Sequence, residues 1–255
     1  MSYWLNKMIK LLKNFIFLGW IQVKLKYTRS LLGPLWITIS TIVLIGGMSL
    51  VNLSLFKVDI REVMPWIAIG ITCWGYIAIT IEDSTIMFED QKLLNIAISP
   101  FEVAAINVAK NFIIFFHNLF ILMLVVIIFQ LPVTLNYLFL IYGSIIFILN
   151  SFSFTIIFGF LCLRYRDFIL VIKNLLFLLF LMTPILWIPH TLNNNRIILA
   201  DFNPLFQIIQ TIRDPLLGNS LSVLCLTQTS IFTLFFLIIS LVVYKYKHKK
   251  IVFWI

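Results

Sequence analysis

Six long apolar stretches fix the solvent in which this chain can fold. They run about Leu35 to Phe56, Val63 to Ile81, Phe112 to Leu131, Leu135 to Leu163, Phe168 to Ile188 and Leu221 to Tyr244. A hydrocarbon core about 30 Å thick takes ~20 helical residues per crossing, so each stretch has the length of a span. Strands of a membrane barrel alternate polar and apolar residues over ~10 positions. These stretches do not alternate, so they read as helices. The 255 residues are 62% hydrophobic and 11% charged, against roughly 45–50% and about 25% in soluble domains. A soluble globular fold is excluded, and so is a disordered chain. The expected fold is an all-α polytopic membrane protein, with an N-terminal amphipathic segment over 1–34 and six transmembrane helices over 35–255.

Charge placement predicts the orientation. With the N-terminus in the cytoplasm, the inner segments hold Lys7, Lys10, Lys13, Lys24, Lys26, Arg29, Lys92, Lys110, Arg164, Arg166, Lys173, Lys245, Lys247, Lys249 and Lys250. Of the 19 basic residues only Lys57, Arg61, Arg196 and Arg213 remain outside. The positive-inside rule then places both termini in the cytoplasm. Asp59, Glu62, Asp201 and Asp214 cancel those four cations, so the net charge of +9 lies entirely inside. No nucleic-acid partner is needed to explain it. No compact apolar region with a small-residue cleavage site follows Lys7, Lys10 and Lys13, so the chain is expected to insert by its own spans. Cys73, Cys162 and Cys225 stand singly in apolar sequence and are expected to be inert buried thiols.

Three segments are not spans. Between Tyr3 and Leu18, the residues Leu5, Met8, Leu12, Phe15 and Leu18 recur at helical spacing with lysines on another side. That pattern predicts a helix lying in the membrane surface, its cations toward anionic lipid headgroups. Glu82 to Pro100 is the most acidic stretch, mixing Glu82, Asp83, Glu89 and Asp90 with Ile86, Leu93 and Leu94. It predicts a short amphipathic helix in the cytoplasm, with a solvated loop that only links two spans as the alternative. Anionic lipid does not attract acids, so a protein partner is its expected target. Within Pro189 to Ser220, Asn203-Pro204 is a helix start. Leu205, Ile208, Ile209, Ile212 and Leu216 follow at helical spacing, and Pro215 and Gly218-Asn219 close the segment. A helix of about 12 residues is too short to span, and a re-entrant or interfacial position at the outer face fits it where protein covers its backbone.

The absent chemistry narrows the function. Gly70 and Gly75 have the glycine spacing of a phosphate-binding loop, but Tyr76 follows where lysine is required. His117, His190 and His248 lack metal-ligand spacing. No acid lies at mid-membrane, which argues against ion-coupled transport. Asn107, Asn111 and Asn118 fall within about 40° on one helical face at 100° per residue. Asn111 and Asn118 are candidates to line a channel, with interhelical hydrogen bonding as the alternative. Phe147, Phe154 and Phe158 share a face of the fourth stretch and are candidates for the same role, with packing as the alternative.

Taken in order, Lys26-Tyr27-Thr28-Arg29-Ser30-Leu31-Leu32-Gly33-Pro34-Leu35-Trp36, then Arg164-Tyr165-Arg166-Asp167, then Asn203-Pro204 through Arg213-Asp214-Pro215-Leu216-Leu217-Gly218 resemble the permease subunit of type-2 ATP-binding-cassette exporters of bacterial surface polysaccharides. Ser99-Pro100 leading into Phe115-Phe116-His117-Asn118-Leu119 looks most like the O-antigen branch. The resemblance implies a homodimer of this chain in the bacterial inner membrane, working with two copies of a separate ATPase. It implies an undecaprenyl-diphosphate-linked glycan as cargo, no cofactor on this chain, and ATP and Mg on the partner. It further implies an interface helix at the N-terminus and a coupling helix within 82–100 that carries Glu89, Asp90, Lys92, Leu93 and Leu94. Short periplasmic gate helices are implied within 189–220, around Asn203, Pro204, Arg213, Asp214 and Pro215. Lys24, Lys26, Arg29, Arg164 and Arg166 would meet the diphosphate headgroup through charge-assisted hydrogen bonds, with ordinary positive-inside topology as the alternative. Export of capsule, teichoic acid or a smaller lipophilic molecule by the same machinery stays open. A membrane enzyme acting on lipid-linked sugars would need paired acid and base groups, and only the scattered Asp167, Asp201 and His190 offer themselves.

Overall fold

The computed structural model describes residues 2–28, 30–33, 35–56, 59–94, 99–189, 200, 202–248 and 251–254. Among them every regular element is helical: α1 (Ser2–Lys26), α2 (Leu35–Phe56), α3 (Ile60–Leu94), α4 (Pro100–Ile128), a single 3-10 turn (Leu135–Leu138), α5 (Phe139–Arg164), α6 (Phe168–Met182), α7 (Pro204–Leu216), α8 (Val223–Lys247) and a last turn, α9 (Ile251–Trp254). Five of these helices, α2, α3, α4, α5 with its 3-10 turn, and α8, are long and apolar enough to cross a bilayer. The molecule is a polytopic helical membrane protein.

Local chemistry sets the helix ends. Ser99 opens α4 as a capping box: its hydroxyl accepts from the Glu102 amide, and the Glu102 carboxylate accepts from the Ser99 amide at 2.9 Å. Pro100 occupies the first turn, where a missing N–H costs nothing. Ser222 caps α8 by accepting from the Cys225 amide at 3.1 Å.

Four expected boundaries move, the first at α4, which begins at Pro100 rather than near Phe112. The fifth stretch was expected to be helical to Ile188, but α6 stops at Met182 after 15 residues, about 22 Å of helix. Thr183 is extended (φ −84°, ψ 137°) because a residue preceding proline is driven out of the helical region. The acidic segment after Ile81 is no separate short helix, since α3 runs unbroken from Ile60 to Leu94. The N-terminal helix continues to Lys26 rather than ending near Leu18.

α3 and α5 form the centre. In α3, 72% of the spanning window is buried, against 17% in α8, so α3 is enclosed and α8 rims the bundle. α2 and α4 flank α3, α8 flanks α5, α6 leans on α3, and α1 lies along α4. Gly19 permits that last contact, since a Cβ there would meet the Lys110 amide nitrogen at 2.8 Å. α5 and α8 are tied by Asn150 Nδ2 donating to Thr233 Oγ1 at 2.7 Å, and by the Tyr142 hydroxyl 2.8 Å from Thr229 Oγ1. Such interhelical bonds are retained where no water competes. A smaller apolar cluster of Met87, Phe88, Ala104, Ile156, Phe160 and Ile251 joins one end of α3, α4 and α5 to α9. Val43, Leu50, Phe120, Phe177, Leu181 and Leu234 point outward and exposed, as a lipid-facing surface requires.

Candidate functional site

The most constrained part of the molecule is built around α7. This 13-residue helix starts at Asn203, whose Oδ1 accepts from the Leu205 and Phe206 amides at 3.0 and 3.2 Å. Its other end is held from outside. Asn136 Nδ2 donates to the Gly218 carbonyl at 2.8 Å, and Gly218 takes the positive φ of +85° that the turn needs. Although too short to span, α7 is buried among α3, α5 and α8. Against α5 the backbones nearly touch, for a Cβ at Gly143 would lie 2.8 Å from the Thr211 carbonyl oxygen.

Arg213 projects from α7 into this packing and is 0% exposed. Its guanidinium carbon sits 3.9 Å from the Trp66 ring centroid on α3, a cation–π contact strengthened by the absence of water. Nη1 donates to the Pro184 carbonyl at 3.0 Å and to Gln210 Oε1 at 3.3 Å. Nε and Nη2 have no hydrogen-bond partner among the described residues. Gly70 makes the room, since a Cβ there would collide with Nη2. The sequence reading placed Arg213 among the outer charges and in the gate segment without giving its burial; here it is a buried cation that satisfies the carbonyl of Pro184, just past the end of α6. Asn203 Nδ2 adds a second tie to that end by donating to Thr183 Oγ1 at 3.2 Å. Irregular backbone is tolerated at membrane depth only where protein satisfies it, and α7 supplies that here. Burial pushes the Arg213 pKa down. Burial raises Asp214 above the ordinary carboxylate range, with Arg213 pulling the other way, and Gln210 Nε2 donates to Asp214 Oδ1 at 3.0 Å.

The other predicted residues separate into distinct places. Asn107, Asn111 and Asn118 are all buried on α4. Thr38 donates to Asn118 Oδ1 at 3.2 Å, joining α2 to α4, and Asn111 donates to Asn107 Oδ1 at 3.4 Å. Asn111 and Asn118 line a cavity of about 70 Å³ between α2, α3 and α4, with Thr41 and Thr72. Phe147 stacks on Phe115 (5.7 Å, 16°) and lies 5.6 Å from the Tyr76 ring. Phe154 meets Phe158 at 6.1 Å and Phe236 at 5.1 Å. Neighbouring rings of the same chain therefore pack against Phe147 and Phe154, and such ring-to-ring contacts favour offset and edge-on geometries.

The basic residues also part company. Lys24 lies over the Trp20 ring at 5.5 Å on α1. Arg164 lies over Trp254 at 5.4 Å and Tyr165 at 5.7 Å, and Lys247 faces the same Trp254 at 5.7 Å. Lys26 and Arg166 are exposed, and Arg29 lies outside the described residues. Near the end of α1, Lys110 and Asp83 pair at 2.7 Å across α3 and α4. Burial, and then the Asp83 charge, raise the pKa of Tyr27. α3 carries the backbone of residues 89–94 as helix, while the side chains of Glu89, Asp90, Lys92, Leu93 and Leu94 lie outside the description. His190 and Asp201 lie outside it too, and Asp167 is exposed. Among the described residues no group of three or more His, Cys, Asp or Glu could hold a metal ion. Sequence reasoning missed Trp66, Gly70 and Gly143. The available signal was two glycines among large apolar residues in spans, which marks close approach.

No family model matches this chain, and no curated protein matches it.

Proposed function

We propose that the chain is the permease subunit of an ATP-binding-cassette exporter, and that it moves an undecaprenyl-diphosphate-linked O-antigen polysaccharide outward across the bacterial inner membrane. It works as a homodimer with two copies of a separate ATPase. α2 to α6 and α8 are its six transmembrane helices, with both termini cytoplasmic. The observation that carries this reading is the ordered set of segments at 26–36, 164–167 and 203–218, in a sequence without the G-x-x-x-x-G-K-[ST] motif. In the proposal, a coupling helix within 82–100, carrying Glu89, Asp90, Lys92, Leu93 and Leu94, docks on the ATPase, and α7 is the periplasmic gate helix. The headgroup first meets Lys24, Lys26, Arg29, Arg164 and Arg166.

The test is reconstitution in vesicles with the ATPase encoded by a neighbouring gene. ATP-dependent movement of lipid-linked glycan, lost when either chain is omitted, is the expected result. Nucleotide hydrolysis or transport by this chain alone would overturn the proposal. For the contact itself, cysteines placed at residues 90–93 should crosslink to the ATPase, and failure to trap any complex refutes docking there. Arg164→Gln with export at the full rate removes that residue from headgroup binding.

A further inference from the structure

Where α1 crosses α4, the bundle leaves a cleft of about 370 Å³ open to the side. Trp20 and Val23 of α1, Leu35 and Ile37 of α2, and Ile113 and His117 of α4 line it. Its walls are fixed. Gly19 seats α1 directly on the α4 backbone, and the Thr38–Asn118 hydrogen bond holds the first turn of α2. The cleft is too small for a helix, which is 10–12 Å across with its side chains, but it suits a single hydrocarbon chain.

The helix forming one wall selects the occupant. α1 has Lys7, Lys10, Lys13, Lys24 and Lys26 and no acid. Its lysines are exposed beside exposed Leu12, Ile16, Phe17, Trp20 and Leu25, the pattern of a helix lying at the membrane surface. The Lys24 ammonium stands 5.5 Å from the ring of Trp20, itself a wall of the cleft. An exposed cation therefore stands beside one wall of an apolar slot. Lys110, further along the same contact, is already paired with Asp83.

We propose that this cleft binds one anionic phospholipid from the leaflet on which α1 lies. One acyl chain fills the space between α1, α2 and α4, and the phosphate rests on the Lys24 ammonium. The proposal shares Lys24 with the headgroup cluster proposed above, and its test reads lipid binding without the cargo or the ATPase, so the two readings fail separately.

The test uses the full chain in vesicles of four parts phosphatidylcholine to one part phosphatidylglycerol, with bromine on the acyl chains of one lipid at a time. Bromine quenches tryptophan on contact, and subtracting the Trp20→Phe variant isolates Trp20 among the seven tryptophans. A roughly fivefold preference, which one lysine gives near an anionic headgroup, should place phosphatidylglycerol in about half of the sites, well above its share of the lipid. Lys24→Gln should reduce this to the bulk ratio, and Lys24→Arg should keep it. Native mass spectrometry of the unmodified chain extracted from the same vesicles needs no variant, and should show phosphatidylglycerol retained out of proportion to its abundance. Quenching in the bulk ratio of the two lipids, retention in bulk proportion, or full preference in a folded Lys24→Gln variant would each overturn the proposal.

Discussion

Replacing Gly143 by alanine tests whether α7 is seated in the bundle. The new methyl would lie 2.8 Å from the Thr211 carbonyl oxygen and 3.1 Å from its carbon, where ordinary contact begins at 3.4 Å. Ile212 Cδ1, at 2.7 Å, can swing aside, but the Thr211 carbonyl is backbone and cannot, so the α5 and α7 axes must part by about 0.6 Å. Forcing an extra methyl into a packed interior costs roughly 1–3 kcal/mol. Alanine also gives back about 0.5–1 kcal/mol, because it loses less backbone freedom than glycine within a helix. The overpacking wins, for a net loss of about 1–2 kcal/mol. Gly75 on α3 supplies the control: an added Cβ there meets nothing within 4 Å, so Gly75→Ala keeps only the gain of about 0.5–1 kcal/mol. In thermal unfolding of detergent-solubilised protein, Gly143→Ala should lower Tm by roughly 3–6 °C while Gly75→Ala raises it slightly. A Gly143→Ala protein as stable as the unmodified chain, beside a Gly75→Ala that behaves as stated, would refute the close seating of α7 on α5.

Three further outcomes follow from the same packing. The Asp83–Lys110 pair is largely shielded, its side chains 17% and 14% exposed, so a double-mutant cycle with Asp83→Asn and Lys110→Met should give a coupling of about 1–2 kcal/mol. A coupling near zero would mean that the pair is solvated. Asp214 is raised by burial, so the folded state holds its proton more tightly than the unfolded state. The stabilisation is complete below about pH 4, the ordinary aspartate value, and is lost as pH climbs through the raised value. Asp214→Asn should remove that decline in a pH series of unfolding measurements, and an unchanged slope in the variant would refute the assignment. Thr233→Val removes the acceptor of the 2.7 Å bond from Asn150 and should cost about 0.6–1.7 kcal/mol, read by denaturant titration in micelles. Stability equal to the unmodified chain would show that Asn150 finds another partner.

Hydropathy and periodicity located most of the bundle, and the departures have physical causes. The polarity change after Ile81 was read as the end of one helix and the start of another. Between Trp66 and Leu94, however, the chain has no proline and only two glycines, so helicity persists while the surroundings change. In the fifth stretch the apolar run through Trp187 outweighed Pro184 in the reading, whereas the backbone obeys the proline and stops at Met182. Asn203-Pro204 and Gly218 marked the ends of α7 because capping and turn chemistry are local. The burial of Arg213 is not local. It depends on Trp66, Gly70 and Pro184 arriving together from two other segments, and no spacing along the chain encodes that meeting. The asparagine face on α4 followed from angle alone, but the rings that enclose Phe147 and Phe154 come from α3, α4 and α8.

Beyond Pro65, α3 is a single uninterrupted shaft from Trp66 to Leu94, roughly 43 Å long. One end is clamped to the guanidinium of Arg213, and near the other Met87 is lodged in the notch left by Gly159. The Arg213 end and the Gly159 end of the bundle are thereby joined through one continuous piece of backbone, with no relay of side chains needed between them.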